Sequence, residues 1–146
     1  YPKFKSWADD YFFLPHRDET RGVGGIFFDH LQGDENMSKE QLLSYCLELG
    51  DAFSDLYERQ VNLGVNEPVT ESQIDWRNTR RGRYVEFNLV HDRGTKFGLV
   101  SGGRTESILM SLPPVANWEY CKEIEPNSQE EFTLINLKKG VDWLVK

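Results

Sequence analysis

From Leu42 to Tyr57 the apolar residues of this 146-residue chain recur at intervals of three and four: Leu42, Leu43, Cys46, Leu49, Phe53, Leu56 and Tyr57. Only a helix gathers residues at that spacing onto one face, so any fold of this chain contains a long amphipathic helix here. Ser38 stands where an N-cap is needed, and Gln41 three residues later completes a capping box. Gly50 costs about 1 kcal/mol relative to alanine without breaking the pattern. Gly64 is the expected stop.

On either side the signals are shorter. Phe4, Trp7, Ala8, Tyr11 and Phe12 share one helical face between Lys3 and Phe13, and Pro15 disfavours helix at Leu14. Gly22, Gly24 and Gly25 lead into Ile26-Phe-Phe-Asp29, which predicts a strand with its turn glycines beside it. Beyond Pro68, Thr70 caps a second helix carrying Ile74, Trp76 and the arginines 77, 80, 81 and 83. From Arg83 to Asp92 the residues Tyr84, Glu86, Asn88 and Val90 alternate with Val85, Phe87, Leu89 and His91, which predicts a strand. Asp92-Arg-Gly-Thr95 then reads as a hairpin turn and Lys96–Val100 as the return strand, closed by Ser101-Gly-Gly103. Arg104–Leu112 fits either a strand or a short helix, Pro113-Pro114 ends it, and Gln129–Leu137 is a closing helix. With no repeat, low-complexity tract or linker, residues 1–146 are expected to form one α+β domain.

Charge and cysteine content narrow the function classes. Seventeen basic against 24 acidic residues give a net charge of −7, which opposes nucleic acid and anionic membrane surfaces as partners. A few placed arginines still outweigh that diffuse field for a small anionic ligand at short range. No stretch approaches the roughly 20 apolar residues of a membrane span. Cys46 and Cys121 lie far apart, so neither a disulfide scaffold nor a cysteine zinc site is expected. The chain opens on Tyr1-Pro-Lys-Phe-Lys5 without Met or leader and reads as a piece of something longer. Cytoplasm, mitochondrion and plastid are all compatible with it.

Read in order, several segments resemble the oxygen-dependent coproporphyrinogen III oxidase family. They are Trp7-Ala-Asp-Asp-Tyr-Phe-Phe-Leu-Pro-His-Arg17, Arg21-Gly-Val-Gly-Gly-Ile-Phe-Phe-Asp29 and the long run from Arg80 to Leu99. Gly102-Gly-Arg-Thr-Glu-Ser-Ile-Leu-Met-Ser-Leu-Pro-Pro114 and Trp118-Glu-Tyr120 follow at the family's spacing. The resemblance extends from Tyr1 to about Leu144 and makes this chain the C-terminal half of such a domain. It implies part of a large antiparallel β-sheet flanked by helices on both faces, in a homodimer. It also implies oxidative decarboxylation of two propionates of coproporphyrinogen III to vinyl groups, giving protoporphyrinogen IX. Dioxygen is the implied co-substrate, with neither a metal nor an organic cofactor firmly required. The N-terminal half of such members carries a proton-donating histidine and an Asn-x-Arg contact, neither of which is in this sequence.

A tetrapyrrole with four carboxylates calls for guanidinium forks, backbone N–H groups, a carboxylate for the pyrroles and apolar walls. Gly102, Gly103 and Arg104 are the first candidates for substrate binding, the glycines allowing close approach and the arginine a bidentate fork. The plainer alternative is a tight turn with a surface arginine. Asp92 is a candidate catalytic carboxylate, able to accept pyrrole N–H bonds and stabilise charge developing on the ring. The plainer alternative, and the favoured one on sequence alone, is an Asp capping a turn. Arg21, ahead of the glycines, can reach a propionate or pair with Asp18 or Glu19. His16 is implied as a dimer contact or possible metal ligand, yet no second ligand stands at metal spacing from it, and no metal is expected. Arg93 and Lys96 can tie their loop to a partner or to the absent half. The cluster Arg77, Arg80, Arg81 and Arg83 reads as the solvated C-terminal end of a helix.

The motif residues survive, which favours an enzyme. The alternative is a catalytically inactive, half-length relative acting as an interaction or structural subunit of a larger assembly. Half a sheet leaves an edge and an apolar face that the missing half or another subunit must cover.

Overall fold

The structure, a computed structural model, describes residues 1–145. In chain order the elements are α1 (Pro2–Tyr11), β1 (Phe13–Leu14), β2 (Glu19–Thr20), α2 (Lys39–Gly64), α3 (Glu71–Val90), α4 (Arg93–Val100), α5 (Thr105–Ile108) and α6 (Gln129–Asn136). They divide into two compact units: Tyr1–Phe27 with the chain from Thr70 onward, and Phe28–Val69.

The second unit is built on α2. Ser38 accepts from the Gln41 backbone N–H while the Gln41 side chain accepts from the Ser38 N–H, so the predicted capping box forms in full. The helix runs through Gly50 for 26 residues. Phe53 and Tyr57, one turn apart, stack at 5.9 Å.

The first unit packs around Ala8, Leu14, Val85, Phe87 and Leu137, its buried apolar residues. Leu14 lies in an antiparallel pair of two-residue strands, Phe13 opposite Thr20 and Leu14 opposite Glu19. Thr20 donates its N–H to the Leu137 carbonyl at 2.9 Å, so the hairpin closes onto the end of α6. In the hairpin loop Asp18 has φ +51°, a left-handed conformation that glycine takes freely and Asp tolerates. On α1, Lys5 and Asp9 are both buried and pair at 2.6 Å, an i, i+4 ion pair inside the unit.

The expected large antiparallel sheet is absent: among the described residues the only sheet is the β1–β2 pair. Ile26–Asp29 has no strand partner and runs as extended coil. Arg83–Val90, predicted as a strand, is the second half of α3. Thr70 and Gln73 form a capping box, and no proline interrupts the chain before His91, so helix once nucleated propagates. Burial along α3 has helical phase, with Asn78, Gly82 and Val85 inward beside Thr79 and Phe87. The alternation read between Tyr84 and His91 is a coincidence of a mixed surface. Helix also corrects the arginine cluster, which lies mid-helix: Arg80 and Arg83 both reach Glu19, at 3.1 and 3.2 Å. Gly82 lets the segment before Trp118 lie against α3, where Asn117 donates to the Asn78 carbonyl.

The predicted return strand is likewise helix α4. Asp92 caps it, accepting the Thr95 N–H at 2.6 Å, so the supposed hairpin turn is a helix start. Gly98 and Gly103 admit Ile108 of α5, whose side chain would stand 3.0 and 3.2 Å from a Cβ at those positions.

Candidate active site

The C-terminal end of α1, the chain after β2 and the α3–α4 corner converge on one aromatic cluster. Tyr11 stacks on Phe27 at 4.6 Å and meets the edges of Phe12 and Phe87 at 4.9 and 5.8 Å. Two charged groups border this cluster, and both were candidates from sequence.

The first is Arg21. Its guanidinium carbon lies 4.2 Å from the centre of the Phe12 ring, 4.8 Å from Tyr84 and 5.4 Å from Phe87. Its Nε is buried and has no hydrogen-bond partner. Neither acid weighed as its partner takes it, since Glu19 pairs with Arg80 and Arg83, and Asp18 with Lys138. Burial pushes the Arg21 pKa down, with Tyr84 and Asp92 working against that push. The residue lines a cavity of about 290 Å³ with Ala8, Phe12, Phe27 and the Gly22–Gly25 backbone. A cationic fork that forms no ion pair, beside a glycine segment, is suited to a carboxylate ligand.

The second is Asp92. Tyr11 donates its hydroxyl to Oδ1 at 3.0 Å, and the Thr95 N–H donates to Oδ2 at 2.6 Å. Burial opposes the charge, but the bonds from Thr95 and Tyr11 and the Arg21 cation outweigh it and hold the acid below its ordinary value. Each carboxylate oxygen has a second lone pair, so Asp92 keeps acceptor capacity for further N–H donors. Arg93, the next residue, places its guanidinium 5.0 Å from the centre of the Tyr11 ring.

The other candidates lie apart from this pair. Gly102, Gly103 and Arg104 form the exposed turn between α4 and α5, with Gly102 at φ +73° and the Gly103 N–H on the Gly98 carbonyl. The eight residues of α4 separate that turn from Asp92 by about 12 Å along the helix axis. His16 is on the β1–β2 loop, with Nε2 2.6 Å from Glu86 Oε1 and its ring stacked at 5.4 Å on His91. Glu86 also takes Arg17 and the Trp118 indole N–H. Among the described residues no group of three or more His, Cys, Asp or Glu is placed to hold a metal ion, and no helix is long and apolar enough to cross a membrane.

Sequence reading missed Tyr11, Glu86 and the Lys5–Asp9 pair. Tyr11 was counted among apolar helix residues, although a tyrosine in an apolar cluster brings a hydroxyl that needs a partner. Glu86 was placed on the polar side of a strand that does not exist. Lys5 and Asp9 carried a usable signal, opposite charges four apart on a predicted helix. Asp9 Oδ2 accepts the Gly140 N–H at 2.8 Å, and Oδ1 would stand 3.4 Å from a Cβ at Gly24, which puts the pair under the glycine segment of the Arg21 cavity.

A family model described as coproporphyrinogen III oxidase matches residues 1–143, nearly the whole chain. That match runs through Arg21, Asp92 and the Gly102–Arg104 turn, and the chain belongs to the coproporphyrinogen III oxidase family, with the role in porphyrin biosynthesis that this membership carries.

Proposed function

We propose that this chain serves the oxidative decarboxylation of two propionates of coproporphyrinogen III to vinyl groups, with dioxygen as oxidant and protoporphyrinogen IX as product. The balance for each side chain is propionate, O2 and one proton giving vinyl, CO2 and H2O2. The carboxylate leaves as CO2 and a hydride equivalent leaves the carbon next to the ring, so O2 takes two electrons. In this reading Asp92 accepts pyrrole N–H bonds and stabilises positive charge as it develops on the ring. Arg21 binds one propionate within its cavity. Gly102, Gly103 and Arg104 receive another across the length of α4, a separation that a macrocycle with carboxylates on its rim can bridge. No cofactor is invoked, and a homodimer is the proposed assembly.

The observation that carries this reading is the conjunction of a guanidinium whose buried Nε has no hydrogen-bond partner with a carboxylate that has lone pairs to spare, both on Tyr11's aromatic cluster. A second reading, a non-catalytic subunit, draws on the exposure of Phe97, Val100 and Met110, apolar side chains that a partner surface would cover. Aerobic incubation of the purified chain with coproporphyrinogen III, followed by chromatography of the products, separates the two. Divinyl product that disappears in Asp92→Ser, which keeps the helix cap and loses the carboxylate, supports the enzyme. Bound but unconverted substrate supports the second reading.

A further inference from the structure

We propose that Tyr11 is a positioning residue: its hydroxyl fixes the rotamer of the Asp92 carboxylate, and its ring ties that carboxylate to the aromatic shelf on which Arg21 lies. The inference rests on the reading above, in which Asp92 faces the pyrroles.

Asp92 would cap α4 without Tyr11, because the cap is made with Thr95, whose N–H donates to Oδ2. What Tyr11 adds is the second anchor, on Oδ1, from a residue 81 positions earlier in the chain. With Tyr11 on Oδ1 and Thr95 on Oδ2 the plane of the carboxylate is set, and so are the directions of the remaining lone pairs. A group that must meet N–H donors of a macrocycle gains from that pre-organisation. Packing alone does not call for a hydroxyl at position 11. The neighbouring rings of the cluster, Phe12, Phe27 and Phe87, have none.

The ring makes the second link. Phe27, on which Tyr11 stacks, and Phe12, which it meets edge-on, both line the Arg21 cavity. Arg21 lies over Phe12, and Arg93 covers the Tyr11 ring. A shift of Tyr11 therefore moves the carboxylate and the wall of the arginine cavity together. Two ligand groups that must engage the same substrate are held in register by one side chain.

Tyr11→Phe keeps the ring and removes the hydroxyl. Two measurements on the full chain test it: the titration of the Asp92 carboxyl by 13C NMR, and anaerobic coproporphyrinogen III binding by calorimetry across pH. Losing a donor to the ionised form raises the Asp92 midpoint, and the acid limb of the binding profile moves up with it. An unchanged midpoint and an unchanged profile overturn the proposal. Asp92→Ser serves as the control for the underlying reading: if it binds substrate as the parent does, or if the parent does not bind, that reading fails. Loss of binding in Asp92→Ser beside a parental profile in Tyr11→Phe sinks the positioning role alone. Tyr11→Ala separates packing from the hydroxyl, and a melting temperature as low in Tyr11→Phe as in Tyr11→Ala assigns the hydroxyl to folding and overturns the proposal.

Discussion

Arg17 holds Glu86 by two parallel hydrogen bonds, Nε to Oε1 at 2.6 Å and an Nη to Oε2 at 2.8 Å, joining the β1–β2 loop to α3. Trp118 donates to the same carboxylate at 3.1 Å, so one acid fastens three segments of the unit. Arg17 chiefly, with His16 and Trp118 against the opposing effect of burial, brings the Glu86 pKa from 4.5 to about 2.

A depressed carboxyl pKa stabilises the folded state above its ordinary value and ceases to do so as pH falls through the depressed one. Glu86→Gln therefore lowers the melting temperature most above pH 4.5, and the difference from the parent closes toward pH 2. The loss at neutral pH is about 1–2 kcal/mol, the lower part of the range for charged hydrogen bonds because Arg17 is partly in solvent. Thermal melts of both proteins from pH 7 to 2 measure it. A gap that does not narrow in acid removes Glu86 from the account.

Gly82 reverses an ordinary rule. In an exposed helix, glycine to alanine gains about 1 kcal/mol. Here a Cβ would run into the Asn117 backbone carbonyl, and the neighbouring Asn117 N–H is already committed to Asn78. Gly82→Ala is expected to destabilise by about 1–3 kcal/mol, read by chemical denaturation. A stabilised variant would mean that the 113–118 segment does not lie on α3.

The parts of this fold legible in the sequence were those with a local cause. Ser38 with Gln41, and Thr70, announced two helix starts because a cap and its partner lie within four residues. The strand reading of Arg83–Asp92 failed because it rested on a short alternation from Tyr84 to His91, and the helix begun at the Thr70 cap runs through it. Val85 and Phe87 go inward on a helix whose Leu89 and Val90 stay exposed. Site residues showed the same division. Arg21 and Asp92 were picked out by type and setting, while the bond from Tyr11 to Asp92 spans 81 positions and leaves no trace in any periodicity.

Lys5 and Asp9 make a buried pair whose members depend on each other. Removing one charge strands the other in a poorly solvated place, at a cost of about 3–5 kcal/mol. Asp9→Leu is accordingly expected to be far worse than the double variant Lys5→Met with Asp9→Leu, although the double variant still lacks the acceptor for the Gly140 N–H. Denaturation midpoints of the two single variants and the double variant form a cycle that measures the coupling. Additive losses would show the pair to be solvated.

Arg21 sets stability against function. Its Nε is buried without a partner, and burial already disfavours its charge, so the folded chain carries an unsatisfied donor. Such a group costs about 1–3 kcal/mol. Arg21→Met preserves length and apolar contact with Phe12 and Phe87 while deleting that donor. The variant is expected to melt at or above the parental temperature and to bind coproporphyrinogen III at least tenfold more weakly, about 1.4 kcal/mol. Arg21→Lys keeps the charge without the fork and falls between the two in affinity. Calorimetric binding and thermal melts on the same preparations decide it. A parental affinity in Arg21→Met would leave the cavity without a carboxylate to bind, and a large loss of stability would make the arginine a packing residue whose contacts with the neighbouring rings, not its role toward a ligand, matter.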